Sequence, residues 1–456
     1  MKYINHILAL VLTLTTMSGC GIYSKYHSST EDEIVDDLYS YIEASNDTTN
    51  IASLAWRELF TDPCLQSLIE QGLEANTDLN IARLSVEQAE ATLKSSRLAF
   101  LPSLNATPQA SISSSQGVTT QSYNIGVSAS WEIDLFGKLR NAKEGAKAAL
   151  EQSVAYRQAV QTQLVATIAN SYYSLLMLDE QLAISLETQD NWSENLRAMA
   201  AMKRAGRINE TALLQSEASS ISLNSSIVTI NEQIAELENT ISTLLAQPTS
   251  HIERGSICDV VLPDDLSVGV PLQLLSNRPD VRMAESYLAQ MFYATAEARS
   301  ALYPSITLSG SAGYTNSLGS IVNPGEMLYN AVASLVQPIF NRGALRAQVK
   351  ISKAQQEQAL LLFKQSILDA GAEVNNALSS WQSAQERSTY SVAQIEKLEQ
   401  AVAKTQLLMT HGSVTYLDVL TAQLSLLQSQ LSFSTDKFNQ AQGVVNLYRA
   451  LGGGEL

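Results

Sequence analysis

An internal repeat constrains the fold of this chain more than any other feature of its sequence. The segment RLAFLPSL at 97–104 returns as RSALYPSI at 299–306, a shift of 202 in the numbering (299 − 97) of a chain of 456 residues. Further matches follow at shifts of 204 and 206: Phe136-Gly137 with Phe340-Asn341, and Gly206 with Gly412. Such a repeat indicates two copies of one supersecondary unit. The sequence predicts three segments: a first repeat over 57–247, a connector over 248–270 and a second repeat over 271–453.

The positions of the prolines permit long helices in both repeats. None of the 10 prolines lies within 109–247 or 339–456. Because proline inside a helix costs about 3 kcal/mol, both stretches can be helical throughout. Leucines at alternating spacings of three and four, as at 417, 420, 424, 427 and 431, predict coiled-coil packing. We expect long helical hairpins at about 137–246 and 342–451, with a further helix at the start of each repeat.

Segments before each hairpin change from a helical period to strict alternation. From 123 to 135 the odd positions are apolar, while the even positions are small or polar. Such alternation predicts a strand with one apolar face. We expect two strands at about 103–135 and two at about 305–340. The aromatic side chains on the apolar side, Tyr123, Trp131 and Tyr314, fit the interfacial belt of a membrane barrel or the core of a soluble sheet.

Four amphipathic strands cannot close a barrel within one chain, and lipid does not tolerate open sheet edges. Three chains would supply twelve strands, an even number that suits an outer-membrane barrel. The predicted fold class is therefore an α+β membrane protein, a homotrimeric 12-stranded β-barrel with four strands per chain. A long α-helical coiled-coil barrel would continue it. An isolated soluble sandwich on a coiled-coil stalk is the alternative, but it explains neither the duplication nor the N-terminus.

Residues 1–19 are predicted to be a signal peptide. An apolar run at 7–17 follows Lys2, and it is too short for a membrane-spanning helix but typical of a secretory signal. Met17-Ser18-Gly19 resembles the lipobox of bacterial lipoproteins, in which the following cysteine is lipidated. We expect a lipid on Cys20 and an extension over 20–56, the alternative being an ordinary signal peptide beside a chance cysteine. No later run of 18 apolar residues exists, so any membrane crossing would use β-strands.

Composition argues against several classes of function. A net charge of −16 disfavours nucleic acid, whose phosphates need a basic surface. With 4 His and 3 Cys, a zinc cluster or a disulfide framework is not expected, although the sequence leaves open whether Cys64 and Cys258 pair. Nucleotide-binding loops, metal-ligand spacings and catalytic triads are also missing from the sequence. We expect no enzymatic activity, no cofactor and no metal site.

Fragments spread over about 50–453 resemble the TolC-like outer-membrane factor family, in its lipoprotein, NodT-like branch. The segment NRPDVRMAE at 277–285 resembles the Arg-Pro-Asp signature of that branch. The other matching fragments follow in the family's order: WRELFTDP at 56–63, NTDLNIA at 76–82, AEA at 89–91, Phe136-Gly137, 298–304 and 412–423. Each fragment alone is short, and their order makes the resemblance specific.

The resemblance implies an outer-membrane exit channel of a tripartite efflux system, lipid-anchored and with its helical barrel in the periplasm. The homotrimer would passively conduct substrates delivered by an inner-membrane RND-type transporter and a periplasmic membrane-fusion adaptor. Two alternatives stay open, a lipid-anchored coiled-coil scaffold that does not conduct and an exit duct for type I protein secretion. The sequence does not identify the substrate.

The resemblance also implies a periplasmic gate at the two helix–helix turns. In the family the second turn has the pattern Gly-x-x-x-x-x-Asp-Val-Leu, which Gly412, Asp418, Val419 and Leu420 match. Three copies of Asp418 around a threefold axis would form an acidic constriction. The alternative is an exposed carboxylate at a helix start, where the helix dipole favours it.

Several positions depart from the family's gate and put its salt-bridge lock in doubt. The basic position of the second turn is Val414 here, its second acidic position is Thr421, and the acidic position of the first turn is Ala212. The charges available instead, either as substitutes or as plain exposed side chains, are Arg207 with Glu210, or Lys203 with Arg204. The candidate gate residues are Gly206, Arg207, Glu210, Gly412, Asp418 and Thr421.

Overall fold

The structure is a computed structural model that describes residues 25–27, 56–115, 117–206, 208–260, 278–315, 326–411 and 414–453. The elements of the first half are α1 (Trp56–Leu59), α2 (Pro63–Ala75), α3 (Thr77–Leu98), β1 (Ser103–Ala106), β2 (Gln109–Ser115), β3 (Val118–Ile133), α4 (Lys138–Arg204) and α5 (Glu210–Leu244). A 3-10 turn at Ile257–Asp259 precedes those of the second half: α6 (Pro279–Ser300), β4 (Ser305–Thr315), β5 (Glu326–Val336), α7 (Ala344–Thr410) and α8 (Tyr416–Ala450). The described chain is thus mostly helical with one small sheet.

Equivalent helices of the two halves have equal lengths. The helices α3 and α6 have 22 residues each, α4 and α7 have 67 each, and α5 and α8 have 35 each. At about 1.5 Å per residue, a 67-residue helix spans about 100 Å. Such lengths exceed what a compact core requires, and their pairwise equality agrees with a duplicated unit.

The offset between the halves changes once, between β4 and β5. Leu104 pairs with Ala129 in the first half, and Ile306 pairs with Leu335 in the second. The offset in numbering is 202 from Leu104 to Ile306 (306 − 104), whereas it is 206 from Ala129 to Leu335 (335 − 129). The second half therefore has four additional residues (206 − 202) between its two paired strands.

The sequence match of Phe136-Gly137 with Phe340-Asn341 is wrong as a structural equivalence. Gly137 and Gly343 both have φ at 77°, in the left-handed region that favours glycine. The carbonyl of each accepts the N–H four residues on, 2.8 Å from Asn141 and 2.9 Å from Ala347. Gly343 is therefore the counterpart of Gly137, and the offset here is 206 rather than 204.

Two compact units divide the chain. One comprises Met1–Asp32, Leu84–Ala155 and Arg282–Gln365 and holds the sheet, while the other comprises Glu33–Arg83, Tyr156–Val281 and Ser366–Leu456 and is helical. Among the helices that the structure describes, none combines the length and the apolar character needed to cross a membrane.

The sheet is antiparallel, with β3 and β4 at its centre. Both β1 and β2 pair with β3 in one continuous register, from Ser103 opposite Ser130 to Ser115 opposite Val118. They form one strand interrupted at Thr107-Pro108, where proline supplies no N–H. The four predicted strands are thus four strand positions, built from the five strand segments of the described residues.

The register separates the residues of the sheet by polarity. Directly opposed residues lie on the same face, so Val127 opposite Ala312 and Trp131 opposite Leu308 share one face. The other face is polar, with Ser128 opposite Ser311 and Ser130 opposite Ser309. The strand β5 is mixed, because Tyr329 extends the apolar face while Val332 lies on the polar one. The alternation predicted for β3 therefore continues across most of the sheet.

Within the described part of one chain, the apolar face is left exposed. Val127 is 51% exposed, Trp131 is 40% exposed and Tyr329 is 85% exposed. Their exposure excludes the interpretation of these side chains as the core of an isolated soluble sheet. Large apolar surfaces that stay exposed in one chain indicate contact with lipid or with protein.

The helical unit has an extended hydrophobic core along its helices. Phe60 and Tyr448 make an edge-to-face ring contact at 5.8 Å, and Tyr172 is fully buried. The Tyr172 hydroxyl donates to the Asp62 carboxylate at 2.5 Å, and Asp62 also accepts the Cys64 N–H at the start of α2. This network links the N-terminal helices to the long helix α4.

One buried and one half-buried arginine join distant parts of the helical unit. Arg278 donates to the Ala450 carbonyl at the end of α8 and pairs with Asp280 and Glu373, both at 2.7 Å. Arg254 in the connector pairs with Asp179 on α4 and Glu238 on α5, both at 2.5 Å. Removing one partner of such a buried pair typically destabilises strongly, since a charge is left uncompensated.

The central ladder depends on one close approach between two glycines. Gly126 lies opposite Gly313. A Cβ on Gly313 would lie 2.6 Å from Gly126 Cα and 2.8 Å from the Ile125 carbonyl oxygen, both backbone atoms. A Cβ on Gly310 would meet its nearest atom, the Asn330 carbonyl oxygen, at 3.5 Å, which is ordinary contact.

We expect Gly313→Ala to destabilise the sheet by about 1–3 kcal/mol, the usual cost of forced overpacking. Gly310→Ala is the matched control and should change stability little. Thermal unfolding of the purified protein, followed by strand-sensitive infrared absorption, measures both. Equal unfolding temperatures for the two variants would show that the glycine pair is not needed.

Candidate functional site at the helix–helix turns

The turn between α4 and α5 is closed by a left-handed glycine and a capping asparagine. Gly206 has φ at 70° and donates its N–H to the Lys203 carbonyl at 2.9 Å. The Asn209 side chain accepts the Ala212 N–H at 3.0 Å, which satisfies a free donor of the first turn of α5. This turn therefore needs no acidic residue at position 212.

An ion pair crosses the same turn. Lys203 Nζ lies 2.8 Å from Glu210 Oε1, and both side chains are exposed. The hydrogen bond and the charge of Lys203 lower the pKa of the Glu210 carboxyl below its ordinary value. Both charges also interact favourably with the helix dipoles. The basic side chain lies at the negative end of α4, and the acidic one lies at the positive start of α5. The first turn thus presents a compensated pair of charges.

The turn between α7 and α8 uses a different cap. The Asp418 carboxylate accepts the Thr415 hydroxyl at 2.7 Å and the Thr415 N–H at 2.8 Å. Thr415 is the residue before α8, and Asp418 is the third residue within it. This arrangement is a capping box, in which the third helical side chain reaches back to the residue before the helix.

Capping favours the ionised form of Asp418. The hydrogen bond from the Thr415 side chain, followed by that from its N–H, lowers the pKa of the Asp418 carboxyl below its ordinary value of 3.8. Asp418 and Thr421 are both exposed, and they lie three residues apart on one side of α8. The Thr421 hydroxyl donates to the Leu417 carbonyl at 2.9 Å, within its own helix.

One small hydrophobic cluster joins the two turns. Its buried members are Trp192, Met199, Leu223, Tyr416 and Leu420, and partly buried side chains such as Ile208, Leu213 and Met409 pack against it. The residues beside Gly206 and those beside Asp418 therefore belong to one local structure.

The structure describes only part of the predicted site. Cys20, Arg207 and Gly412 lie outside the described residues. Among the described ones, Glu210 pairs with Lys203, whereas the predicted grouping of Arg207 with Glu210 involves a residue outside the described ones and stays a prediction. Cys64 and Cys258 are free thiols and do not form a disulfide in this structure.

Sequence reasoning missed the two residues that cap the turns, Asn209 and Thr415. The pattern Thr-x-x-Asp at 415–418 is a known signature of a helix start and was available in the sequence. The described residues contain no group of three or more His, Cys, Asp or Glu side chains placed to hold a metal ion.

We expect Asp418→Ala to increase hydrogen exchange at the first-turn amides of α8. A carboxyl with a lowered pKa stabilises the helix above its unfolded-state pKa, and that contribution is lost as the pH falls through the folded-state pKa. Wild-type protection, corrected for the intrinsic exchange rate, should therefore fall below about pH 4, while the variant is already unprotected at pH 7. Thr421→Ala is the control and should behave as wild type; equal protection in Asp418→Ala would contradict the capping role.

Known proteins match this chain along most of its length. The family described as "Outer membrane efflux protein" matches residues 68–247 and 270–453. The probable outer membrane lipoprotein SilC of Salmonella typhimurium is 31% identical over 410 residues, which are 88% of each chain. The cation efflux system protein CusC of Escherichia coli K12 is 28% identical over 99% of both chains.

Solved structures agree with the sequence matches. The open-state MtrE outer membrane channel of Neisseria gonorrhoeae superposes with a TM-score of 0.83 at 26% identity, covering 95% of this chain and 97% of that one. These matches confirm the resemblance predicted from the sequence fragments. With both halves matched to the family and the described sheet and hairpins superposing on its solved members, the chain belongs to the outer membrane efflux protein family and is an outer-membrane exit channel of an efflux system, not an enzyme.

Proposed function

We propose that three copies of this chain form a 12-stranded barrel in the outer membrane and that their helical hairpins continue it into the periplasm. The duct would passively conduct substrates from an inner-membrane RND-type transporter through a periplasmic membrane-fusion adaptor. The observation that supports this proposal most directly is the sheet, which has four strand positions, two open edges and an uncovered apolar face.

The open edges favour closure with other copies. In the described residues, β1 and β2 pair only with β3, and β5 pairs only with β4. Each unpaired backbone group would cost several kcal/mol in lipid, so strands in a membrane must form closed barrels. Three copies with four strand positions each give an even number that suits such a barrel.

The polarity of the two faces favours a water-filled lumen. The apolar face with Val127 and Leu308 would meet lipid, and the serine-rich face with Ser128 and Ser311 would line the duct. A coiled-coil scaffold that does not conduct would have no use for a sheet with one exposed apolar face and one polar face. The conducting channel is therefore the stronger of the two candidate functions.

The proposed gate is a ring of three Asp418 carboxylates at the closed tip. Capping by Thr415 favours the ionised form of each carboxylate, so three copies would attract cations. Repulsion between them would act in the opposite direction and raise the pKa of the ring as a coupled set. The first turn would add no uncompensated acid, because Ala212 replaces the acidic residue and Lys203 compensates Glu210, while Arg204 and Arg207 make this turn net positive.

We expect the purified protein to give small, discrete conductance steps in a planar bilayer. Divalent or trivalent cations added on the periplasmic side should block the wild-type current, and Asp418→Asn should weaken this block and lower the cation preference. Block and reversal potential, measured for both proteins in the same bilayer, test the gate.

Thr421→Val provides a control of similar size on the same side of α8 without a change of charge. Identical block and reversal potential for wild type and Asp418→Asn would show that Asp418 serves only as a helix cap. A complete lack of conductance steps would favour the scaffold and overturn the proposed channel.

We further propose that residues 1–19 are removed and that Cys20 becomes the acylated N-terminus of an extension reaching to residue 56. Mass spectrometry of the mature protein should find a peptide that begins with an acylated Cys20. Cys20→Ala should fold but lose its membrane targeting, since no residue of the barrel strands is changed. A wild-type chain with an unmodified N-terminus at another residue would contradict lipidation.

A further inference from the structure

We infer that β5 of one copy pairs with the β1–β2 strand of the next copy in the same register that joins β3 to β4 within one chain. This register places Ala333 opposite Ala110 of the neighbouring copy. The inference rests on the proposed trimer and adds to it the residue-by-residue contact between copies.

The duplication supplies the register. Within one chain, β3 of the first repeat meets β4 of the second, with Val127 opposite Ala312. The offset of 206 makes Ala333 the counterpart of Val127 (127 + 206), and the offset of 202 makes Ala110 the counterpart of Ala312 (312 − 202). A closed ring of repeats needs a contact between each second repeat and the next first repeat. The in-chain junction is the contact that the duplicated unit already forms.

The direction of the backbone hydrogen bonds agrees with this register. Thr107 donates to Gly126 on β3, so the odd residues of this strand bond to β3 and the even ones face the open edge. Backbone groups alternate in the same way along β3 and β4. The even residues of β5 therefore bond to β4, and its odd residues direct their N–H and C=O groups to the open edge. Ala110 is even and Ala333 is odd, so both present their N–H and C=O groups to the proposed contact. A slip by one residue would lose this match.

Exposed apolar side chains on the two edges also agree. Continued three residues past the end of β5, the register brings Ile339, 95% exposed, opposite Leu104, 72% exposed. Their in-chain counterparts, Ile133 and Ile306, lie directly opposite each other and are half-buried. The neighbouring copy would therefore cover side chains that a single chain leaves open, as expected for a contact surface.

One backbone bond is lost in this register. Pro108 lies at an even position and opposes Leu335, but it has no N–H to donate. The Leu335 carbonyl would thus lack its partner across the contact, while the positions on either side can still pair. Proline within a paired strand marks an interruption of the ladder, and β1 and β2 are separate segments at this point, so the contact loses one backbone bond there while the flanking positions can still pair.

Disulfide cross-linking of the full-length protein tests the register. In a chain with Cys64→Ser and Cys258→Ser, the pairs Gln109→Cys with Ser334→Cys and Ser111→Cys with Val332→Cys would lie directly opposite each other. Both pairs are non-hydrogen-bonded pairs of the proposed contact, because their residues direct their backbone groups to the other neighbouring strand. Opposed Cα atoms in non-hydrogen-bonded pairs lie about 4.5 Å apart, within the range a disulfide requires. Within one chain, two other strands separate the members of each pair by about 14 Å, so that only copies can be linked.

The same four positions recombined give matched controls. Gln109→Cys with Val332→Cys and Ser111→Cys with Ser334→Cys are displaced by two residues, at about 7–8 Å. We expect covalent trimers on non-reducing gels for both opposed pairs and at most a tenth as much for both displaced pairs. The second opposed pair keeps the test valid if the first variant fails to fold.

A displaced pair that cross-links better than the opposed pairs would overturn the register. Cross-linking by neither set, in a protein that native mass spectrometry finds trimeric, would also overturn it while leaving the proposed channel intact. A protein that stays monomeric by native mass and gives no conductance would contradict the proposed function itself.

Discussion

The antiparallel ladder between β3 and β4 joins the two repeats of this chain into one sheet. Its register aligns Val127 with Ala312 and Ser128 with Ser311, so one face is apolar and the other polar. A shift by one residue would exchange the faces along the whole sheet. The close approach of Gly126 to Gly313 occurs within this ladder, where any Cβ on Gly313 would meet backbone atoms. The character of both surfaces therefore depends on this one register.

At the two helix–helix turns, the residues that cap the helix ends determine which side chains are available for chemistry. Gly206 reverses the chain after α4, and Asn209 or Thr415 starts the returning helix in each half. These caps satisfy backbone donors that would otherwise lack partners. The cap uses the Asp418 carboxylate and favours its ionised form, and the proposed gating role would act through the same group. The cap and the proposed gate would therefore make the same demand on this side chain.

The sequence predicts the elements of this fold better than the contacts between them. Side chains alternate along any extended backbone, so the apolar positions of β3 could be identified from spacing alone. The equivalence of Phe340 with Phe136 was wrong because a repeated letter does not report backbone conformation, whereas the left-handed φ of Gly343 does. Arg278 belonged to a recognisable motif, but its partners Glu373 and Ala450 are distant in sequence and no spacing rule connects them.

The candidate site shows the same limit, because the sequence located its residues but not the contacts between them. The family pattern located Asp418, while its hydrogen bonds to Thr415 depend on the backbone geometry at the start of α8. The sequence showed that Ala212 replaces the acidic residue of the family pattern. It could not show that Lys203 pairs with Glu210, because the shape of the turn between them does not follow from residue types. Ion pairs of this kind require the relative positions of two helix ends, which residue types do not supply.

The two repeats have kept their lengths while their turns have diverged. The long helices have 67 and 35 residues in both halves, so the additional residues between β4 and β5 alter neither hairpin. The first turn presents the compensated pair of Lys203 and Glu210, and the second presents the carboxylate of Asp418. In the proposed trimer, three Asp418 carboxylates from the second turns would thus lie at the same tip as the arginines at 204 and 207 of the first turns. The duplicated scaffold would set the shape of the duct, and the divergent charges of the two turns would together set its preference for ions.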